Sequence, residues 1–297
     1  MSRAGEPLLR RSPSQPLRGF FPSYQAFGSA CRYGLSTVRP LKASALQSDD
    51  WGWNFGFTRG PSYWSYGRLR ALITLNIASG LGSQRVLEIA AGDGALSACL
   101  QRPGCDVVVN DLRDEVIRAS VMNFVNANDI RISAGNLFDL DSGKEGYFDT
   151  IIACELIEHV AEPLALLCKL KTFLTPNGRI LLTTPNGAYF RNKLPTLSQI
   201  TDRASLVAEQ FKPDADGHLF LVTPEEMQQV AVDANLAIEN FCVWGTPFIS
   251  GECGLRIFRR ILPTWLCFTL ERMCARFPYF ISRRLANSMV CILRERD

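Results

Sequence analysis

An α/β fold with a mostly parallel sheet and helices on both faces is predicted for this 297-residue chain by three observations. Short aliphatic and β-branched runs alternate with helical stretches, the order that builds right-handed crossovers. The first run, Val86-Leu87-Glu88-Ile89, ends in a turn of small residues, Ala90-Ala91-Gly92-Asp93-Gly94, that opens a helix. About twenty residues later a second run, Val107-Val108-Val109-Asn110, ends at Asp111.

The elements follow in order. Residues 1–48 contain Pro7, Pro13, Pro16, Pro22 and Pro40, so an irregular N-terminal extension is expected. It is arginine-rich with a single acid, Glu6, a composition that also suits a mitochondrial presequence. Its prolines oppose the amphipathic helix a presequence needs. The folded domain is expected over 49–297. Its first segment, 51–66, is dense in Trp, Phe and Tyr, suited either to a core patch or to the wall of a ligand pocket. A helix over about 62–78 carries Arg68. Strands are predicted over about 85–90, 106–110, 130–134, 148–154 and 179–184, with helices over 94–101, 113–126 and 161–173. Pro176-Asn177-Gly178 reads as the turn into the fifth strand. Thr223, Pro224 and Glu225-Glu226 mark the start of another helix. Two further strand-like runs, Ile238 to Trp244 and Ser288 to Leu293, bring the count to seven. Residues 252–286 are then an insertion before the last strand, rich in Phe, Leu, Ile and Arg. It suits a helical cap over a ligand pocket or a basic amphipathic segment in peripheral contact with a membrane.

Hydrophobic content of 47% and charged content of 21% are those of a globular protein with a sizeable core. The net charge of +3 does not imply nucleic-acid binding, but residues 255–297 carry nine arginines, no lysine and three acids. The ten cysteines form no C-x-x-C pair, which implies a reducing compartment. Cys99, Cys154, Cys168 and Cys291 fall in apolar runs and are expected as buried thiols. No apolar run reaches the ~18 residues of a spanning helix, and no secretory signal is visible. The expected location is cytoplasmic, with membrane-peripheral and mitochondrial-matrix alternatives. Oligomeric state is not legible.

Glycines let a backbone approach a ligand closely, and the N–H groups of a helix start lie beside it. An acid at the tip of the second strand can accept both hydroxyls of a ribose. Together Gly92, Gly94 and Asp111 imply a nucleoside-bearing cofactor at the carboxyl edge of the sheet. The glycines do not spell a dinucleotide fingerprint, and Glu88 upstream suits a cationic ligand better than a pyrophosphate. The pattern resembles the first motif of class I S-adenosylmethionine-dependent methyltransferases, [D/E]-x-G-x-G-x-G, with Ala90 where the first glycine usually stands. The resemblance implies a Rossmann-like, seven-stranded methyltransferase sheet whose last strand returns antiparallel, and S-adenosyl-L-methionine as cofactor. It assigns the turn to Glu88, Ala90, Gly92 and Gly94, the ribose to Asp111, and the adenine to Asn136 and Leu137. Cys154 is placed on the cofactor side, and Arg68 is a candidate partner for the methionyl carboxylate.

The catalytic signal is Glu155-Leu156-Ile157-Glu158-His159, directly after the fourth strand. If helical, Glu155, Glu158 and His159 share one face. The only other histidine, His218, lies in Asp216-Gly217-His218-Leu219-Phe220. In one reading Glu155, Glu158, His159 and His218 bind a divalent metal, suited to Mn, Fe, Co or Zn and less to Mg. In another, His159 is a general base and the glutamates orient it. In a third, His159 only packs beside the cofactor. E-x-I-E-H-V resembles the matching motif of ubiquinone-biosynthesis O-methyltransferases. Taken with Thr183-Thr184-Pro185-Asn186 and D-x-H-x-F, it also resembles small-RNA 3′-end 2′-O-methyltransferases, whose equivalents of the four residues bind metal. The resemblance covers about 84–240, and it implies that Pro185-Asn186 face the acceptor. The expected reaction is O-methylation of a small molecule, glycan or lipid-linked acceptor. RNA ribose 2′-O-methylation and a catalytically silent cofactor-binding scaffold are the alternatives.

Overall fold

In the computed structural model seven strands form one sheet, in the order β3-β2-β1-β4-β5-β7-β6. The structure describes residues 74, 77, 78, 80–92, 94–101, 104–121, 129–210, 217–250, 252–255, 264–274 and 277–296. The extension 1–48, the aromatic segment 51–66 and Arg68 lie outside them. The strands are β1 Arg85–Ile89, β2 Asp106–Asn110, β3 Ile130–Ile132, β4 Phe148–Cys154, β5 Leu174–Pro185, β6 Leu236–Trp244 and β7 Ser288–Glu295. β1 to β5 pair in parallel, and β7 runs antiparallel between β5 and β6.

Strands covered on both faces read as continuous apolar runs, and here both faces are covered. On one face Leu87, Ile89, Ile151 and Leu182 pack with Leu166, Leu167, Met227 and Ala231. On the other, Val86, Val107, Ile152 and Leu181 pack with Leu96, Leu100, Trp244 and Ile249. The helices are α1 Ala95–Leu100, α2 Asp114–Val121, α3 Ser142–Glu145, α4 Pro163–Lys171, α5 Arg203–Val207, α6 Pro224–Asp233, α7 Pro247–Ser250, α8 Thr264–Cys274 and α9 Tyr279–Leu285. α6 starts where its signals place it. The Thr223 hydroxyl accepts from Glu226 N at 3.2 Å, and the Glu226 carboxylate accepts from Thr223 N at 2.7 Å.

Three expectations need correction. β5 begins at Leu174, because Pro176-Asn177-Gly178 is absorbed as a bulge: Phe148 pairs with Leu174 but Thr150 with Arg179. β3 stops at Ile132 instead of 134. There the Asn110 side chain donates to the Ser133 and Gly135 carbonyls at 2.7 and 2.9 Å and draws the chain out of the ladder. Cys168 is exposed on α4 and Cys154 half-buried, while Cys291 is buried as expected. The Cys99 side chain lies outside the description.

The described part of the insertion is a turn at 252–255 and the helices α8 and α9, and it is fastened to the carboxyl edge twice. Glu271 of α8, buried, accepts from Gly245 N and from the amide and hydroxyl of Thr246, just past β6. Burial pushes the Glu271 carboxyl up against the downward pull of those bonds. Asn186, past β5, donates to the Arg283 and Ala286 carbonyls at 2.6 and 2.7 Å. Among the described residues no helix is long and apolar enough to cross a membrane.

Candidate active site

Parallel pairing sets the ends of β1, β2 and β4 side by side, with Ile89 opposite both Asn110 and Ala153. The turn after β1 is built from left-handed residues: Ala90 at φ 53°, Gly92 at 58° and Gly94 at 68°. Gly94 caps the start of α1. A Cβ on Gly92 would meet nothing within 4 Å, so the backbone there borders open space. Gly92 N donates to Asp111 Oδ2 at 2.9 Å, which joins the turn to the acid at the tip of β2. The other oxygen, Oδ1, accepts from Arg113 N at 3.1 Å. Glu88 is buried under the turn, where it accepts from Ser97 N at 3.0 Å and from the Ser97 hydroxyl. Its carboxylate therefore braces the first turn of α1.

Ala90 occupies a conformation that costs a residue with a Cβ about 1–2 kcal/mol. Glycine would escape that cost but lose about 0.5–1 kcal/mol in backbone entropy. Ala90→Gly is therefore expected to stabilise the fold by about 0.5–1 kcal/mol, read as a higher urea midpoint at unchanged slope. A lower midpoint would contradict the left-handed turn.

The β4 end departs from the helical expectation. Glu155 sits at φ 51°, and only Ile157–His159 form a helical turn, of 3-10 type. The left-handed residue removes the shared face, so Glu155 does not join the other three. The tandem threonines of β5 explain where each glutamate goes. Successive strand residues point to opposite faces. Thr183 Oγ1 donates to Glu155 Oε1 and Thr184 Oγ1 to Glu158 Oε2, both at 2.9 Å. One hydroxyl thus holds each glutamate, on opposite faces of the sheet. The sequence did show the Thr-Thr pair, but not its two partners.

Glu158 is fully buried and its Oε1 lies 3.9 Å from His218 Nε2, whose side chain is 33% exposed. The loop carrying His218 is anchored by Leu219 N donating to the Glu158 carbonyl at 2.9 Å. The His159 and His218 rings meet edge to face at 5.0 Å. Glu158, His159 and His218 each offer one ligand atom, all within 4.8 Å of one another. Two imidazoles and a carboxylate so close together are a donor set that suits a divalent transition metal. Glu155 is not in that group, which corrects the four-residue ligand set. Thr184→Val, nearly isosteric, removes a bond to this buried carboxylate. It is expected to cost about 1.5–3 kcal/mol of stability, and Thr183→Val less because Glu155 is half-buried. Equal losses on denaturant titration would refute the two-face arrangement.

The remaining candidates fall as follows. Asn136 ends the β3 loop at the same edge, and its Oδ1 caps the following turn by accepting from Phe138 N at 3.1 Å. Leu137 is in the core with Leu87 and Ile89. Cys154 packs on the opposite face, its Sγ 3.9 Å from Thr74 Oγ1. Asn186 does not face an acceptor. It is buried, its amide donates to two carbonyls of the insertion, and its oxygen accepts from Ala188 N.

Residues 63–240, more than half of the chain, match the family model described as "Methyltransferase domain". The chain is similar to the ubiquinone biosynthesis O-methyltransferase of Psychrobacter cryohalolentis, 29% identical over 161 residues, 53% of this chain and 61% of that protein. It is also similar to the enzyme of that name from Xanthomonas euvesicatoria, 31% identical over 109 residues, 36% of this chain and 45% of that protein. The aligned part thus spans only about half to three-fifths of these curated relatives, 45% and 61%. The N-methyltransferase NodS of Bradyrhizobium japonicum, solved with S-adenosyl-L-homocysteine, shares the fold. Its TM-score is 0.50 at 13% identity, over 92% of this chain and 99% of that one. The match over residues 63–240 places the chain in the methyltransferase domain family.

Proposed function

We propose that the enzyme methylates a hydroxyl oxygen on a small-molecule, glycan or lipid-linked acceptor. The observation that carries this is the convergence of Glu158, His159 and His218 at the sheet edge that also bears the donor turn. The sulfonium of the donor leaves as a neutral sulfide. The protein's tasks are therefore to align the acceptor oxygen with the methyl carbon and to take its proton. His159 takes that proton at an imidazole nitrogen. Glu158, held by Thr184, stands beside the imidazole of His218. A divalent cation held by Glu158, His159 and His218 would lower the pKa of the bound hydroxyl. The name O-methyltransferase borne by the curated relatives supports oxygen as the acceptor atom.

The test is transfer of label from methyl-labelled S-adenosylmethionine to a panel of hydroxyl-bearing small molecules, glycans, lipids and RNA. It is run in chelator and after re-addition of Mn²⁺, Zn²⁺ or Mg²⁺ singly. Label recovered as a methyl ether supports the proposal, and label on nitrogen overturns it. Loss in chelator with recovery on one metal assigns the trio to metal binding. Full turnover in chelator leaves His159 as the base.

A further inference from the structure

α8 and α9 meet at a corner that exposes large apolar side chains. Phe280 is 67% exposed, Met273 55%, Phe277 41% and Ile281 36%. In α9 and the turn before it, Phe277, Phe280, Ile281 and Arg284 follow the i, i+3, i+4, i+7 spacing of one helical face, and all are exposed. A second loop extends this face. Phe190 N donates to the Arg284 carbonyl at 3.0 Å, which sets Phe190, itself 51% exposed, beside the end of α9. Arg191 and Lys193 follow it on the surface. Exposed rings grouped in this way mark an interaction site more than a scatter of single apolar residues does.

Among the described residues, the exposed cations Arg284, Arg191 and Lys193 flank the corner. The acid of α8, Glu271, is buried against Gly245 and Thr246. The acids of adjoining elements are engaged locally. Glu225 pairs with Arg283, and Glu252 accepts from the Tyr189 hydroxyl. An apolar face flanked by Arg284, Arg191 and Lys193 is complementary to an anionic lipid surface, where rings enter the acyl boundary and cations meet phosphate.

We infer that this corner docks the enzyme on an anionic membrane surface and opens the catalytic edge toward it. The link to the site is short. Asn186 holds the α9 carbonyls of Arg283 and Ala286, and Thr184, two residues earlier, holds Glu158. β7 starts at Ser288, just past α9, opposite Pro185. The inference narrows the acceptor to the lipid-linked class and in that respect rests on the proposed function. Docking itself requires no methyl transfer, so the two are tested separately.

The experiment is co-sedimentation of the full chain with phosphatidylglycerol–phosphatidylcholine vesicles, against phosphatidylcholine alone, at low and high salt. Binding to the anionic vesicles that weakens with salt is expected. Phe280→Asp should lower that affinity by about tenfold or more, the worth of one buried ring converted to a ratio, and Arg284→Glu should lower it further. Both side chains are exposed, so the fold and S-adenosylmethionine affinity, read by calorimetry, should be unchanged. Absence of binding, equal binding to neutral vesicles, or binding insensitive to both substitutions would overturn the inference. So would a lipid-free dimer, or retention on RNA, that Phe280→Asp abolishes in place of vesicle binding.

Discussion

His159→Ala is expected to lower kcat for methyl transfer by about 10²–10⁴-fold, the usual worth of a positioned acid or base, with S-adenosylmethionine affinity unchanged. The side chain stands on the turn after β4, packed edge to face on His218, whereas the turn after β1 is held by Asp111 and Glu88. Single-turnover kinetics read the chemical step, and calorimetry reads donor binding. A variant that still turns over at the parent rate would remove His159 from catalysis. The companion His218→Ala separates the two roles of the cluster. If the trio holds a metal, losing either imidazole is comparably severe. If His159 works alone as base, His218→Ala costs less.

The parts of the fold that were legible share one physical property. β1, β2 and β4 are buried on both faces and show as short, mainly apolar runs, and α6 announces itself through Thr223, Pro224 and Glu226. β5 was read five residues short because a Pro-Asn-Gly segment usually ends a strand, and only pairing with β4 reveals it as a bulge. The acidic motif was legible as chemistry but not as geometry. The spacing of Glu155, Glu158 and His159 predicts one face only if the backbone is helical, and nothing about a glutamate announces a left-handed φ. Asn186 was misread for a different reason. Its partners, Arg283 and Ala286, are nearly a hundred residues away, so no local pattern distinguishes a fastener from an acceptor contact.

Asp111→Ala is expected to weaken S-adenosylmethionine binding by about 1–3 kcal/mol, the worth of hydrogen bonds to a charged group. Two losses act together. The carboxylate accepts from Gly92 N and Arg113 N, so its removal frees the turn after β1 that it now holds. It also removes the acceptor proposed for the ribose hydroxyls. Asp111→Asn keeps the shape but sets an amide NH₂ against one of those two backbone N–H groups, so it should bind more weakly than the parent protein despite its size. S-Adenosylhomocysteine has the same ribose and lacks only the methyl group and the positive charge. Asp111→Ala should therefore weaken both ligands equally. A loss confined to S-adenosylmethionine would mean that Asp111 responds to the sulfonium charge, and unchanged affinity for both would exclude it from the cofactor site.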